Sequence, residues 1–259
     1  MTQIHPTAIV DPRAELAESV VVGPYAIISG KAQIGPETKI GPYSLIEGPC
    51  KIGSHNHIGA YVNIGGAPQH AAYKGEQTEL EIGNVNIFRE QVTIHRGTVQ
   101  GRGKTSIGNF CMLMIGVHIA HDCVLGDAVI MANYVQIAGM VKIHSSAFFG
   151  GLSAIHQHGT VGRAVMVGGL TGLPQDPPPF SMVIGDRAKF VGLNRVGLKR
   201  LGFKEETVEA IKNAYRILHS PEILIDDGLK QVEKEFASVP EVLEIVQFYR
   251  ESERGVISR

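Results

Sequence analysis

VGPYAIISGKAQIGPETKIGPYSLIEGPCKIGSHNHIGAYVNIG, residues 22–65, carries an aliphatic side chain at every sixth position: Val22, Ile28, Ile34, Ile40, Ile46, Ile52, Ile58 and Ile64. The spacing runs back through Leu16 and Val10 to Ile4. It resumes at Ile107 and continues through Leu113, Ile119, Leu125, Met131, Ile137, Ile143, Phe149, Ile155, Val161 and Val167 to Leu173, with a shorter patch at Ile82, Phe88 and Ile94 between the two runs. A period of six fits neither an α-helix nor a half-buried strand. It fits a coil with flat faces, in which one aliphatic side chain per face points inward and each coil stacks on the last to bury a continuous column. Glycine often follows the aliphatic residue, as at Gly23, Gly35, Gly41, Gly53, Gly59 and Gly65. The natural reading is that it supplies the backbone angles a tight corner needs.

Two segments break the period. GAPQHAAYKGEQTELE (66–81) and HRGTVQGRGKTS (95–106) read as excursions from the coil, where function tends to concentrate. PQDPPPF (174–180) cannot continue the repeat and reads as a linker. Three amphipathic helices are predicted beyond it. The first carries Val208, Ile211, Tyr215 and Leu218 on one face, and the second Leu229, Val232 and Phe236. The third starts near Pro240 and carries Val242, Ile245, Val246 and Tyr249. The chain therefore divides into a mainly β repeat domain over 1–185 and a small helical domain over 186–259.

The net charge of -1 provides no basic field for nucleic acid. Cys50, Cys111 and Cys123 cannot all pair within one chain and show no CxxC spacing, so reduced, buried thiols and a cytoplasmic setting are expected. MTQIHPTAIV has no basic stretch followed by an apolar core, so no secretory signal is expected. No run approaches the ~18 apolar residues that a membrane span needs. There is no glycine-rich phosphate loop, since the Ile-Gly pairs belong to the repeat.

Among eleven histidines, His95, His118, His121 and His156 stand out by position. His118 and His121 flank the inward Ile119 and are expected to face outward, toward solvent or a neighbouring subunit. An imidazole there can take a proton from a hydroxyl near neutral pH. His95, His118 and His121 could alternatively meet at a subunit interface and bind zinc with one position open to water. Packing of a subunit interface is the reading without chemistry. Arg187, Lys189, Arg195, Lys199, Arg200 and Lys204 form a basic cluster suited to a diphosphate or an acidic carrier protein.

At IHRGTVQ (94–100), HIAHDC (118–123), AIHQ (154–157) and GLKRLGF (197–203) the chain resembles the UDP-N-acetylglucosamine acyltransferases of lipid A synthesis, nearly end to end. The resemblance implies a left-handed parallel β-helix with three hexads per turn, assembled as a homotrimer with active sites between adjacent prisms. It implies transfer of a 3-hydroxyacyl group from acyl carrier protein to the 3-position of the UDP-sugar. The chain itself would need no cofactor or metal, because the donor brings its own phosphopantetheine thioester. His121 would be the general base, Asp122 its orienting partner, and the Gly139 N–H the oxyanion donor. His118, His156, Gln157 and Arg200 would line the sugar-nucleotide and pantetheine path, with His95 near it. Gln69, His70, Tyr73 and Asn194 would add substrate contacts. Gly168 and Gly169 would leave room for a long acyl chain.

The chain departs from the family pattern at five positions. An Asp-x-Lys-Tyr run is replaced by HAAY, which puts His70 and Ala72 before Tyr73. Met140 replaces a histidine, Val196 a glutamate and Leu201 an arginine. Altered recognition of the nucleotide sugar follows as an expectation. The competing readings are N-acylation of the 3-amino analogue, a zinc hydratase of the gamma carbonic anhydrase type, and a structural trimer without activity.

Overall fold

The computed structural model describes residues 1–258. Short strands of mostly two residues form three sheets of 11, 9 and 8 strands, parallel except for the last strand of the first; these make the faces of a β-helical prism. The inward side chains stack in register. On the second face the column runs Val10, Ile28, Ile46, Ile64, Ile94, Ile119, Ile137, Ile155, Leu173. Ile46 and Ile64 are one turn apart, three hexads along the chain. The longer intervals from Ile64 to Ile94 and from Ile94 to Ile119 accommodate the two excursions. Phe88 and Phe149 fill the same core from the first face, and all three cysteines are buried free thiols.

The corners do not work as the sequence suggests. The left-handed conformation falls mainly on non-glycine residues, among them Tyr25, Tyr43, Tyr61, Asp122, Tyr134 and Met140. Apart from Gly65, which itself has φ +81°, the glycine after an inward aliphatic residue serves another purpose. A Cβ on Gly41 would lie 2.5 Å from the Gly59 carbonyl oxygen, and one on Gly53 2.6 Å from that of Gly83. Those glycines let successive coils approach; they do not relieve backbone strain.

At the far end each face is closed. Strand Ser181–Ile184 extends the first face, and Lys189–Leu193 returns antiparallel to it. The turn between them bonds Gly172 on the second face through Gly185 and Ala188. Beside the last strand of the third face, Asp176 pairs with Val256, and Ile257 is buried in the prism core. Four helices follow the strands: α1 (Arg195–Arg200), α2 (Glu205–Leu218), α3 (Ile225–Glu235) and α4 (Pro240–Glu251). The last three carry the predicted apolar faces, which pack together with Phe180 and Phe190. The short α1 is additional. The Asn194 carboxamide caps it, accepting from the Gly197 N–H at 3.0 Å and donating to the Ala164 carbonyl at 2.9 Å. No described helix is long and apolar enough to cross a membrane.

Candidate active site

One edge of the prism gathers the candidate catalytic residues. The chain passes from the second face to the third at residues 67–78, 96–103, 120–123, 138–141 and 156–159 on successive coils. Both excursions therefore leave from one edge, side by side, and that edge also bears His121, Gly139 and His156.

His121 does not face solvent as its place beside Ile119 suggests; it is only 8% exposed. His70 from the first excursion packs edge-on to its ring at a centroid distance of 5.1 Å. The His121 Nδ1 lies 2.8 Å from Oδ2 of Asp122. Burying a carboxylate costs several kcal/mol unless donors surround it, and the second excursion supplies them. The Thr98 N–H donates to both oxygens at 3.0 Å, the Thr98 hydroxyl at 2.7 Å and the Arg102 N–H at 2.9 Å. Burial by itself would raise the Asp122 carboxyl, but the bonds from Thr98, His121 and Arg102 outweigh it and hold the group below its ordinary value. Asp122 is therefore an anion, and it selects the tautomer with a proton on His121 Nδ1 and a lone pair on Nε2. Gly101 is needed for this wrapping, since a Cβ there would meet the carboxylate at 2.4 Å.

Gly139 sits one coil further on. A Cβ on it would lie 2.6 Å from both Cε1 and Nε2 of His121, so glycine is what lets the imidazole occupy its position. Gly139 is itself buried, and its N–H has no hydrogen-bond partner among the described residues. Such a donor is available to an oxyanion. In the next position the Met140 N–H donates to the His121 carbonyl at 2.8 Å, so the backbone link persists with a methionine there.

His95 and His118 lie on adjacent coils of the second face, His118 on the coil of His121, with rings 4.8 Å apart and nearly perpendicular. His118 Nδ1 pairs with the Thr93 hydroxyl at 2.7 Å. Burial, then the neighbouring histidines and Arg96, push His95 down to about 4; burial and then His121 lower His118. Both are neutral near pH 7. His95 Nδ1 is buried without a partner among the described residues.

The other expected residues divide. Gln69 is exposed on the first excursion, and His156 and Gln157 are exposed on the active edge beyond Gly139. The Tyr73 hydroxyl is already engaged, donating to the Glu76 carbonyl at 2.9 Å and accepting from Arg96 at 3.2 Å. Asn194 is committed to capping α1, and Arg200 is exposed in the last turn of that helix. Val196 and Leu201 leave apolar side chains exposed nearby. Gly168 and Gly169 lie on a different edge from His121, between the first and second faces. A Cβ on Gly168 would meet Ile184 at 2.9 Å, so that glycine already accommodates packing. Among the described residues no group of three His, Cys, Asp or Glu side chains is arranged to hold a metal ion. Sequence reading missed Thr98, Gly101 and Arg96, although the IHRGT run contains two of them.

The profile described as "Udp N-acetylglucosamine O-acyltransferase; Domain 2" matches residues 176–257, and the bacterial transferase hexapeptide profile matches 31–66 and 104–139. The acyl-[acyl-carrier-protein]–UDP-N-acetylglucosamine O-acyltransferase of Thermodesulfovibrio yellowstonii is 46% identical over 99% of both chains. That of Thiobacillus denitrificans is 48% identical over 99% of this chain and all of its own. The Acinetobacter baumannii structure superposes with a TM-score of 0.95 at 38% identity, over 98% of this chain and 99% of that one. The Arabidopsis UDP-N-acetylglucosamine acyltransferase superposes at 0.84 and 34%, over 98% and 99%. The prism is thus the left-handed parallel β-helix that the resemblance implied. With near-complete coverage at close to half identity, and a site built on one edge of that prism, the chain belongs to the acyl-[acyl-carrier-protein]–UDP-N-acetylglucosamine O-acyltransferase family.

Proposed function

We propose that the protein transfers a 3-hydroxyacyl group from acyl carrier protein to the 3-hydroxyl of UDP-N-acetylglucosamine, the reaction that begins lipid A synthesis. The observation that carries this reading is the placement of His121 between the Asp122 carboxylate and Gly139, whose N–H has no partner among the described residues.

The chemistry follows from that placement. Nε2 of His121 removes the proton of the sugar 3-hydroxyl as its oxygen attacks the thioester carbonyl. Asp122 stabilises the imidazolium that forms. The tetrahedral oxyanion takes the Gly139 N–H. Collapse breaks the C–S bond, and the pantetheine thiolate recovers the proton from His121 Nε2. His95 and His118, held neutral, contribute uncharged donors and acceptors suited to sugar hydroxyls. The donor carries its own phosphopantetheine, so the chain needs no cofactor of its own.

A homotrimer completes the site. The outer stripe of the first face is apolar and in register at Ile87, Met112, Ile130, Phe148 and Met166. Burying it against a neighbour under threefold symmetry satisfies that stripe. The same packing brings Gly168 and Gly169 of one subunit toward the active edge of the next. The exposed basic residues Arg187, Arg195, Lys199, Arg200 and Lys204 suit an acidic carrier protein. Three free thiols suit a reducing, cytoplasmic setting.

The test is a mass measurement. Purified protein, a long-chain 3-hydroxyacyl carrier protein and UDP-N-acetylglucosamine should give an acylated UDP-sugar, and the His121→Ala variant should give almost none. A wild-type protein that makes no such product, or acylates only the 3-amino sugar, overturns the assignment.

A further inference from the structure

Arg96 stands next to His95 yet turns away from the reacting groups. Its Nη1 donates to the Gly65 carbonyl and, at 3.4 Å, to that of Gly48; its Nη2 donates to the Tyr73 hydroxyl at 3.2 Å. Its own N–H donates to the Gly66 carbonyl at 3.1 Å. Gly65 and Gly66 are where the first excursion leaves the prism, and Tyr73 lies within it. The returning end is tied by the neighbouring residue, whose N–H donates from Gly97 to the Glu79 carbonyl at 3.1 Å. One guanidinium thus reaches two coils and the middle of the loop. No carboxylate forms an ion pair with it among the described residues, so its acceptors are carbonyl dipoles and a phenol. A planar fork can serve several acceptors lying in different directions; a lysine ammonium on a flexible stem fixes them far less well.

The loop matters because of His70. Its Nδ1 accepts from the Ala72 N–H at 3.3 Å, and its ring covers the edge of His121. We propose that Arg96 is a positioning residue: it fastens the 67–78 excursion to the prism so that His70 stays against His121. Arg96 touches no reacting atom and acts through the loop. Tyr73 is the second half of this brace, with its hydroxyl committed to Arg96 and Glu76. The kinetic half of the test rests on the acyl transfer proposed above; the structural half does not.

Two measurements test it. The first is a double-mutant cycle on kcat/KM for the sugar nucleotide, with Arg96→Ala, His70→Ala and the pair. Arg96→Ala should lower kcat/KM about tenfold or more, and this loss should shrink several-fold when His70 is already absent. Losses that simply multiply overturn the proposal. The second is tryptic cleavage after Lys74, an exposed bond within the excursion. Cleavage should accelerate several-fold in Arg96→Ala while the thermal midpoint moves little; an unchanged rate overturns the brace even if the substrate assignment is wrong. Tyr73→Phe removes one hydroxyl only and should move both readouts the same way by less. It serves as the deciding variant if Arg96→Ala fails to fold.

Discussion

Nδ1 of His121 and Oδ2 of Asp122 stand 2.8 Å apart, and that contact leaves Nε2 as the free nitrogen on the edge facing Gly139. Asp122 is at once the partner of the His121 imidazole and the centre around which residues 98–102 are wound. Tautomer choice and loop conformation therefore depend on one carboxylate.

Asp122→Asn should damage both. The amide cannot accept from every donor at once, so an NH₂ group must face Thr98, Arg102 or His121. Turnover should fall about 10²-fold or more, and the thermal midpoint should drop as well, since hydrogen bonds to a charged group are worth about 1.5–3 kcal/mol each. His121→Ala should lower kcat by about 10²–10⁴ with a smaller change in midpoint. Steady-state kinetics and thermal unfolding on the same preparations separate the two.

Gly139→Ala is the sharper steric test. Its methyl would stand 2.6 Å from two atoms of the His121 ring, far inside contact distance. The imidazole must rotate off its Asp122 contact or the coil must shift. We expect kcat to fall at least 10²-fold with acceptor affinity much less affected, and a structure of the variant to show a displaced His121.

Stability should decline in mild acid through His95. Its folded value near 4 lies below the ordinary 6.5, so between those values the unfolded chain binds more protons than the folded one. The corresponding stability is present above pH 6.5 and is lost as pH falls toward about 4. His118 shifts in the same direction. The depressed Asp122 adds a further loss below its ordinary 3.8. Urea midpoints from pH 7 to pH 4 should fall less steeply for His95→Gln than for the wild type.

Ile130→Asp tests the proposed homotrimer. Ile130 lies on the apolar outer stripe between Met112 and Phe148 and contributes nothing to the interior of its own prism. The charge should yield a folded monomer by sedimentation and near-complete loss of transfer. A variant that remains trimeric would remove this stripe as the interface.

The six-residue period was legible because each inward side chain reports only on its own face, and the three cysteines and the last three helices were legible for similar local reasons. What escaped depends on contacts through space. The role of Gly41 is set by the carbonyl of Gly59 on the next coil, which its own neighbours do not reveal. Helix α1 contains Gly197 and is only six residues long; it depends on Asn194 reaching back to Ala164. The burial of His121 could not be read from alternation, because His70 covers it from a loop that the repeat excludes. HIAHD put His121 and its carboxylate partner side by side, yet Thr98, which holds that carboxylate, lies at a sequence distance only the fold closes.

Ile257 fills the end of the prism core from a segment that follows every coil and all four helices. During synthesis the coils can stack in order, each on the edge left by the previous one. The seal on the final coil arrives only after the helical bundle has been made. A chain interrupted between Glu251 and Ile257 would keep the edge that bears His121, Gly139 and His156 but leave Asp176 without its Val256 bridge and the end of the core without Ile257. The end of the prism core is therefore closed by a residue that is made only after the whole helical bundle, so the two domains are finished in the reverse of their order along the chain.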